Sequence, residues 1–599
     1  MDKKTIIAVV VSVVIITVGF FIQNAVQQRR AEEAGVRPQT VQEESRDEAQ
    51  APQTTEEQIE QAAEAADAGT AEGTSLSYRT ADVEPVGEDP EGGRERLIEV
   101  ETDLFEIVFS TKGGTIHSLK LKEHQEKDGR LVDLIYRGTE DQSAFNIHFG
   151  GPTYEPVDAL FSYRQVGSDT YEFSRDFRAP AESGGEGDVF TLKKRYVFKP
   201  GEYLFELHVE IENSVNEYPN LDVNNTAYTL SFGPQLGPEF QELDGRRAYR
   251  KAIYYAEGKK QNLRLGRDGV GYIDERSLWQ GISGKYFSVI AVPDSANYTV
   301  SYYQGPVEGI PVGTQMYLAR PPVKSSANVD TFKFYMGPNL AKPMARYDDP
   351  QENSFGTQDL DLEEAIDRSR ILGWLESILR WILTFFYRLV PNYGVAIILL
   401  TIVIKIVLYP ITKKSYESTS KMQDLNPKIQ EIKEKYKDNP QKMNQEMSAL
   451  YKREGVSPLG GCLPLLLQMP IFIALYGLLN RHFALRGAAF IPGWINDLSS
   501  PESILNFAPT SIPVIGSDIR LLPILFVATQ LISSKLMQSP TQSSQGNMKI
   551  MTYAMPIVFF FILYDAPSGL ILYWTVTNLL TVVQQYVIKK IRHRKSAQE

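Results

Sequence analysis

Long apolar runs crowd the last 240 of the 599 residues, although the mean hydropathy of the whole chain is slightly negative. A chain divided in this way folds as a soluble part and a membrane part, and its length is too great for one ordinary domain. The late runs lie at roughly 393–409, 463–479, 521–537, 549–564 and 567–588. An uncharged run at 5–22, TIIAVVVSVVIITVGFFI, is long enough to make a sixth span. Lys3 and Lys4 precede it in the short segment 1–4, and basic residues stay on the cytoplasmic side. A cleaved signal peptide is the alternative for this run, but it is long for one and no clear small-x-small site follows. Residues 411–456 carry 10 Lys or Arg against 7 Asp or Glu, and a basic tail at 589–599 holds Lys589, Lys590, Arg592, Arg594 and Lys595. Both segments, and with them both termini, are therefore expected in the cytoplasm. The soluble part between the first and second spans is then outside, in the periplasm of a bacterium with an outer membrane.

The net charge of −12 is local in origin. Residues 31–95 hold 18 Asp or Glu and 4 Lys or Arg, a net of −14, with almost no aromatics. Such a composition cannot bury enough surface to offset chain entropy, so this stretch reads as a disordered acidic linker. From 96 to 345 the pattern has period two. In YLFELHVEIEN, Phe205, Leu207, Val209 and Ile211 alternate with Glu206, His208, Glu210 and Glu212, which is a strand with one dry and one wet face. The turn KPGEY joins it to TLKKRYVF, and LFEIVFST, YTVSYYQG and TFKFYMGP repeat the pattern. About 250 residues of this kind predict a large all-β sandwich. Cys462 is the only cysteine, so no intrachain disulfide is available to hold it.

Two helical segments do not read as spans. Residues 371–390 place Leu375, Ile378, Leu379, Ile382 and Phe386 on one side, interrupted by Glu376, Arg380 and Arg388, with Trp374 and Trp381 suited to an interfacial belt. This predicts an amphipathic helix on the membrane surface, an ordinary core helix being the alternative. Within 411–456, SKMQDLNPKIQEIKEKYK carries Met422, Leu425, Ile429 and Ile432 near helical spacing. Asn439 and Pro440 break it, and PQKMNQEMSALYKREG runs on to Gly455. Two such helices form a projecting cytoplasmic hairpin, fit for docking or gating rather than a passive loop.

The stretch from KMQDLNPKIQEIKEKYKDNPQKMNQ through GVSPLGGCLPLLLQMPIFIALYGLL, together with PSGLILYWTVTNLLTVVQQYVIKK, resembles the YidC family of membrane-protein insertases, and the likeness covers 370–590 almost without a gap. The resemblance implies a polytopic α-helical membrane protein with six spans, a five-span insertase core at 393–588 and a β-super-sandwich in the periplasm. It also implies a wet groove inside the core, open to the cytoplasm and to lipid, with a positive residue on the second span. Lys405 falls at that position, where arginine is commoner, four residues before Tyr409 and Pro410. Lysine keeps the charge and loses the bidentate fork. A lysine at mid-span costs about 2.5–3.5 kcal/mol on insertion scales, so the charge is either used or carried to the interface by snorkelling. Side chains tilt toward a helix N-terminus, here the outer side, which works against snorkelling inward.

Further residues inside the spans complete the candidate groove: Thr401, one turn from Lys405 on the same face, Gln468, Tyr573, Trp574 and Asn578. Helix–helix hydrogen bonding or interfacial anchoring is the alternative for each, and Thr577 reads as packing. Tyr409, Pro410, Gly460, Gly461 and Pro470 are expected to shape the spans, the glycines by close backbone approach and Pro470 by a kink. Cys462 reads as a small packed residue. The implied work is insertion of nascent membrane proteins, alone or with the Sec translocon and its accessory subunits. The ribosome is a further partner through the hairpin and tail, lipids surround the core, and the core is expected to be monomeric. The competing readings are a chaperone acting only beside the translocon and an anion transporter, although no internal repeat is visible. No P-loop, HExxH, CxxC or GxSxG pattern occurs and the six histidines are scattered, so neither catalysis nor a cofactor or metal is expected.

Overall fold

A computed structural model describes residues 78–126, 128–179, 187–213, 221–239, 249–294, 297–323, 327–367, 372–456, 463–507, 517–537 and 546–596. The first span at 5–22, the linker up to residue 77, Gly460, Gly461 and Cys462 lie outside these residues. The chain divides at residue 367 into a β unit and a helical unit, each considered by itself.

The β unit is a large β-sandwich. Its ten-stranded antiparallel sheet runs in space through Thr170–Arg178, Val189–Val197, Leu204–Asn213, Ala327–Pro338, Phe287–Pro293, Trp279–Gly284 and Arg250–Ala256. A five-stranded sheet holds Val270–Ile273, Thr299–Val307, Ile310–Arg320, Tyr228–Phe232 and Asn146–Phe149, and a four-stranded sheet spans Leu97–Asp133. The alternation read in the sequence sets the dry face: Phe205, Leu207, Val209 and Ile211 are all fully buried. Aromatic rings fill the interior, with Phe198 on Phe205 at 4.9 Å and Phe145 edge-on to Phe334 at 4.8 Å.

Two expectations fail in this unit. Glu210 was assigned to the wet face but is buried, because Arg195 reaches it at 2.9 Å and also binds Glu172 on the neighbouring strand at 3.0 Å. The described end of the linker is also not disordered. Glu84 and Pro85 pair with Arg178 and Phe177 at the sheet edge, and Arg79 bridges to Tyr154. Backbone pairing needs no apolar side chains, so composition could not reveal it.

The unit closes with Leu360–Asp367 fastened across its far edge. Trp279 Nε1 donates to Leu360 O at 2.9 Å, and Lys251 Nζ meets Asp367 at 2.7 Å with Lys260 beside it. Burial alone would raise the Asp367 carboxyl, but the two lysines outweigh it and hold it at about 2.

The helical unit contains α1 (Gly373–Leu389), α2 (Tyr393–Asp424), α3 (Asn426–Lys435), α4 (Pro440–Glu454), α5 (Leu463–Arg481), α6 (Leu521–Met537), α7 (Gly546–Leu563) and α8 (Ser568–Ser596). Among the described residues one helix, Tyr393–Ser418, is long and apolar enough to cross a membrane, while Leu466–Arg481 and Leu521–Lys535 are shorter apolar helices. Leu379, Leu383, Ile397, Leu400, Leu475, Leu478, Phe526 and Leu570 share its core. Helix α1 is apolar on two faces. Leu375, Leu379, Ile382 and Phe386 pack inward, whereas Trp374, Ile378, Trp381, Phe385 and Leu389 are exposed. Ile378 therefore belongs to the outward face, not the inward one read from the sequence. Glu376 does not interrupt the helix in solvent; it is buried and paired with Arg481 of α5 and Arg380.

The second apolar run and the start of the hairpin are one continuous helix. Helix α2 extends 32 residues through Pro410, and the break comes at Leu425–Asn426, where Pro427 opens α3. The Asn439 side chain caps α4 by accepting from Lys442 N, and Gly455 ends it with φ +63°, a conformation glycine adopts without strain. Leu425, Ile429, Leu450 and Val456 form the hairpin's own small core.

Candidate functional site

Helix α8 carries polar side chains at Tyr573, Thr577, Asn578, Thr581, Gln584 and Gln585, spaced so that successive ones reach different neighbours. Lys405, half-buried on α2, donates from Nζ to Thr581 Oγ1 at 2.8 Å. Thr581 is itself held, its hydroxyl donating to Thr577 O at 2.8 Å. No carboxylate pairs with Lys405 among the described residues. The partner it meets among the described residues is a neutral hydroxyl.

Below this contact the seam between α2 and α8 stays polar. Gln584 Nε2 donates to Thr412 Oγ1 at 3.1 Å, and Tyr416 lies against Thr581 and Gln585. Asn578 reaches α6 instead, with Nδ2 3.4 Å from Thr529 Oγ1. Tyr573 groups with Gln468 of α5 and Thr577, with the Gln468 Nε2 atom buried beside it.

The other expected groove residues are placed differently. Thr401 lies one turn from Lys405 but is fully buried, and its hydroxyl donates to Ile397 O at 2.6 Å. Trp574 sits in an aromatic cluster with Phe472, Phe526 and Phe559 at 4.5, 5.2 and 5.4 Å, tying α5, α6 and α7 to α8. Tyr409 and Pro410 are exposed on α2, and Pro470 is exposed within α5. Thr581, Thr412 and Gln584 were missed. The signal lay in the sequence as the i, i+4, i+7 spacing of Thr577, Thr581 and Gln584, a polar stripe along an otherwise apolar helix. Among the described residues no cluster of three or more His, Cys, Asp or Glu is placed to hold a metal.

The arrangement is a cation presented between two helices with neutral hydrogen-bonding groups along the same seam. It can attract and hydrate an acidic or polar peptide segment; it has no nucleophile–base pair. Comparison with known proteins gives the family of the chain. Residues 385–596 match the 60Kd inner membrane protein family, and 97–385 match the YidC periplasmic domain. The membrane protein insertase YidC of Treponema denticola is 40% identical over 517 residues, covering 85% of this chain and 88% of that one. The insertase YidC of Treponema pallidum is 36% identical over 535 residues, covering 84% and 86%. A crystal structure of an active YidC insertase aligns with 84% of this chain and 94% of its own at 19% identity, with a TM-score of 0.34.

Proposed function

The chain belongs to the YidC family of membrane protein insertases, and we propose that Lys405 is the group through which it engages its substrates. The function is insertion of proteins into a bacterial membrane, with the β-sandwich as the periplasmic domain. In our reading a nascent membrane protein places its short polar or acidic leading segment on the α2–α8 seam. The Lys405 ammonium attracts the carboxylates and Thr581 offers a hydrogen bond on the seam, while Gln468, Tyr573 and Asn578 offer others on the α5 and α6 sides of α8. The adjoining apolar segment passes between the helices into lipid. Burial of about 20 apolar residues supplies the driving force, and no nucleotide is required.

We place five spans in the helical unit and a sixth at 5–22, with both termini in the cytoplasm. Partners beyond the substrate, the Sec translocon and the ribosome among them, are part of this proposal. The hairpin α3–α4 is their docking element, supported by its basic surface and independent small core.

The observation that carries the reading is the Lys405 hydrogen bond to a neutral hydroxyl, with no acidic partner among the described residues. A charge kept in a bundle without a counter-charge is held for something that brings one. The test is insertion of a single-span substrate with an acidic leading segment into liposomes holding the purified protein. Lys405→Ala is expected to abolish insertion and Lys405→Arg to retain it. Normal insertion by the alanine variant would overturn the role of Lys405. Failure of the native protein in the same assay would favour a chaperone acting only beside the translocon.

A further inference from the structure

The segment between α5 and α6 carries a small β-hairpin in which Leu505–Asn506 pairs with Asp518–Ile519. Its polar side chains turn toward one another. Ser503 Oγ and Asn506 Nδ2 both donate to Asp518 Oδ1, at 2.8 and 2.9 Å. Its apolar side chains do the reverse: Ile504, Leu505 and Phe507 are 44%, 53% and 47% exposed. Three large apolar residues within four positions, uncovered while their polar neighbours are satisfied, are unusual for a surface meeting water.

The root of the hairpin is fastened to the ends of two helices. Tyr564, just after α7, donates from its hydroxyl to Asp518 O at 2.6 Å and accepts from Arg520 N at 3.2 Å. Arg520 Nη1 donates to Tyr564 O at 2.6 Å, and the guanidinium pairs with Asp565. Glu502 accepts from Leu522 N in the first turn of α6 at 2.7 Å and from Trp494 Nε1 at 3.1 Å. The hairpin therefore stands at the end of the bundle where α6 begins and α7 ends. Directly along the chain from it, Ile524 and Leu525 of α6 are exposed, as are Phe561 and Ile562 at the end of α7. The hairpin is thus rooted where two helices that themselves carry exposed apolar side chains begin and end.

We propose that the 504–507 side of this hairpin is a membrane anchor, seated at the acyl–headgroup boundary of the outer leaflet. The proposal rests on the placement of the helical unit across the bilayer given above. Lipid is the occupant that matches the surface. It needs no complementary hydrogen bonds from the large apolar side chains exposed there, Ile504, Leu505 and Phe507. It is also already the neighbour of the exposed faces of α6 and α7. Arg520 and Asp565 at the root suit the headgroup level. Through Tyr564 and Arg520 the anchor fixes the depth at which α6 starts and α7 stops.

Cys462 is the only cysteine, so Cys462→Ala gives a background for single nitroxide labels on the full chain. Labels at Leu505→Cys and Phe507→Cys would be read in vesicles of equal parts phosphatidylethanolamine and phosphatidylglycerol. Val558→Cys on the exposed face of α7 serves as the lipid reference, and Lys259→Cys on the sandwich edge as the water reference. The expected result is an oxygen-to-nickel-complex accessibility ratio at 505 and 507 several-fold above that at 259 and approaching that at 558. Water-like ratios at 505 and 507 with a lipid-like ratio at 558 would overturn the anchor alone. So would shielding from both reagents, which would mean that protein covers the hairpin. A water-like ratio at 558 would remove the placement across the bilayer and the anchor with it.

Discussion

Two lysines, one in each unit, are taken out of water in different ways. Lys194 sits on the dry face of the sandwich, fully buried, and donates to Gly113 O at 3.0 Å and Phe145 O at 2.6 Å. It fastens the central sheet to two segments that backbone pairing does not reach. Burial pulls its pKa well below the ordinary lysine value. Lys405 is only half-buried and meets one side-chain hydroxyl at 2.8 Å. A lysine ammonium carries three donors. In the sandwich two of them are committed to fixed carbonyls; in the bundle one is engaged among the described residues, by a side-chain hydroxyl. The first is a fastener and the second is a site with capacity left for a guest.

The largest expected effect breaks the fastener. Lys194→Ala leaves a cavity and two carbonyls without donors, and is expected to destabilise the sandwich by about 3 kcal/mol. Urea denaturation of the full-length protein, followed by hydrogen exchange in Val189–Val197, measures it. Insertion per folded molecule should be unchanged. A loss of insertion without a loss of stability would erase the distinction between the two lysines.

A second buried base in the sandwich sharpens what makes a group structural. His148 Nδ1 donates to Tyr154 O at 2.7 Å and Nε2 meets Ser231 Oγ at 2.9 Å, and burial lowers its pKa from 6.5 to about 4. The folded value lies below the unfolded one, so the unfolded chain takes the proton first. Stability from this residue is complete above about pH 6.5, falls as pH drops toward 4 and is flat below. At pH 5 the loss is about 2 kcal/mol. A denaturation midpoint that does not move between pH 7 and pH 5, beyond what His148→Gln shows, would place the histidine outside the fastener class.

Lys405→Ala is the counterpart. It removes a charge with no counter-ion, so the stability of the helical unit should change little. Insertion of a substrate with an acidic leading segment should fall at least tenfold, about 1.4 kcal/mol. If the variant instead unfolds, Lys405 is a fastener too.

The sequence made these roles unequally legible. Period-two alternation identified the sandwich and its dry face because each strand reports its own burial locally. It could not place Glu210, whose burial depends on Arg195 on the strand beside it, nor Lys194, whose partners lie 81 and 49 residues away. Residues 84–85 join the sheet through their backbone, which composition does not register. In the bundle, Lys405 stood out because a charge in an apolar run is costly wherever its partners are. Thr401 was chosen by adjacency on the same helix, yet its hydroxyl turns back to Ile397 O. Thr581 was overlooked because a threonine in a span is inexpensive and conspicuous only once a second helix is laid beside it.

The smallest expected effect concerns that threonine. Thr581→Val keeps the shape and removes the hydroxyl that Lys405 meets, while Thr581→Ser keeps the hydroxyl. If the hydroxyl only positions the ammonium, the valine variant should insert substrates with an acidic leading segment two- to threefold more slowly, about 0.5 kcal/mol, within the range of one hydrogen bond. Substrates with a neutral leading segment should be unaffected, and serine should restore the native rate. A uniform loss across both substrates would mean that Thr581 supports packing of α2 on α8. No change in any substrate would mean that Lys405 orients itself on the guest alone, and the seam would then be a passive wall beside the charge.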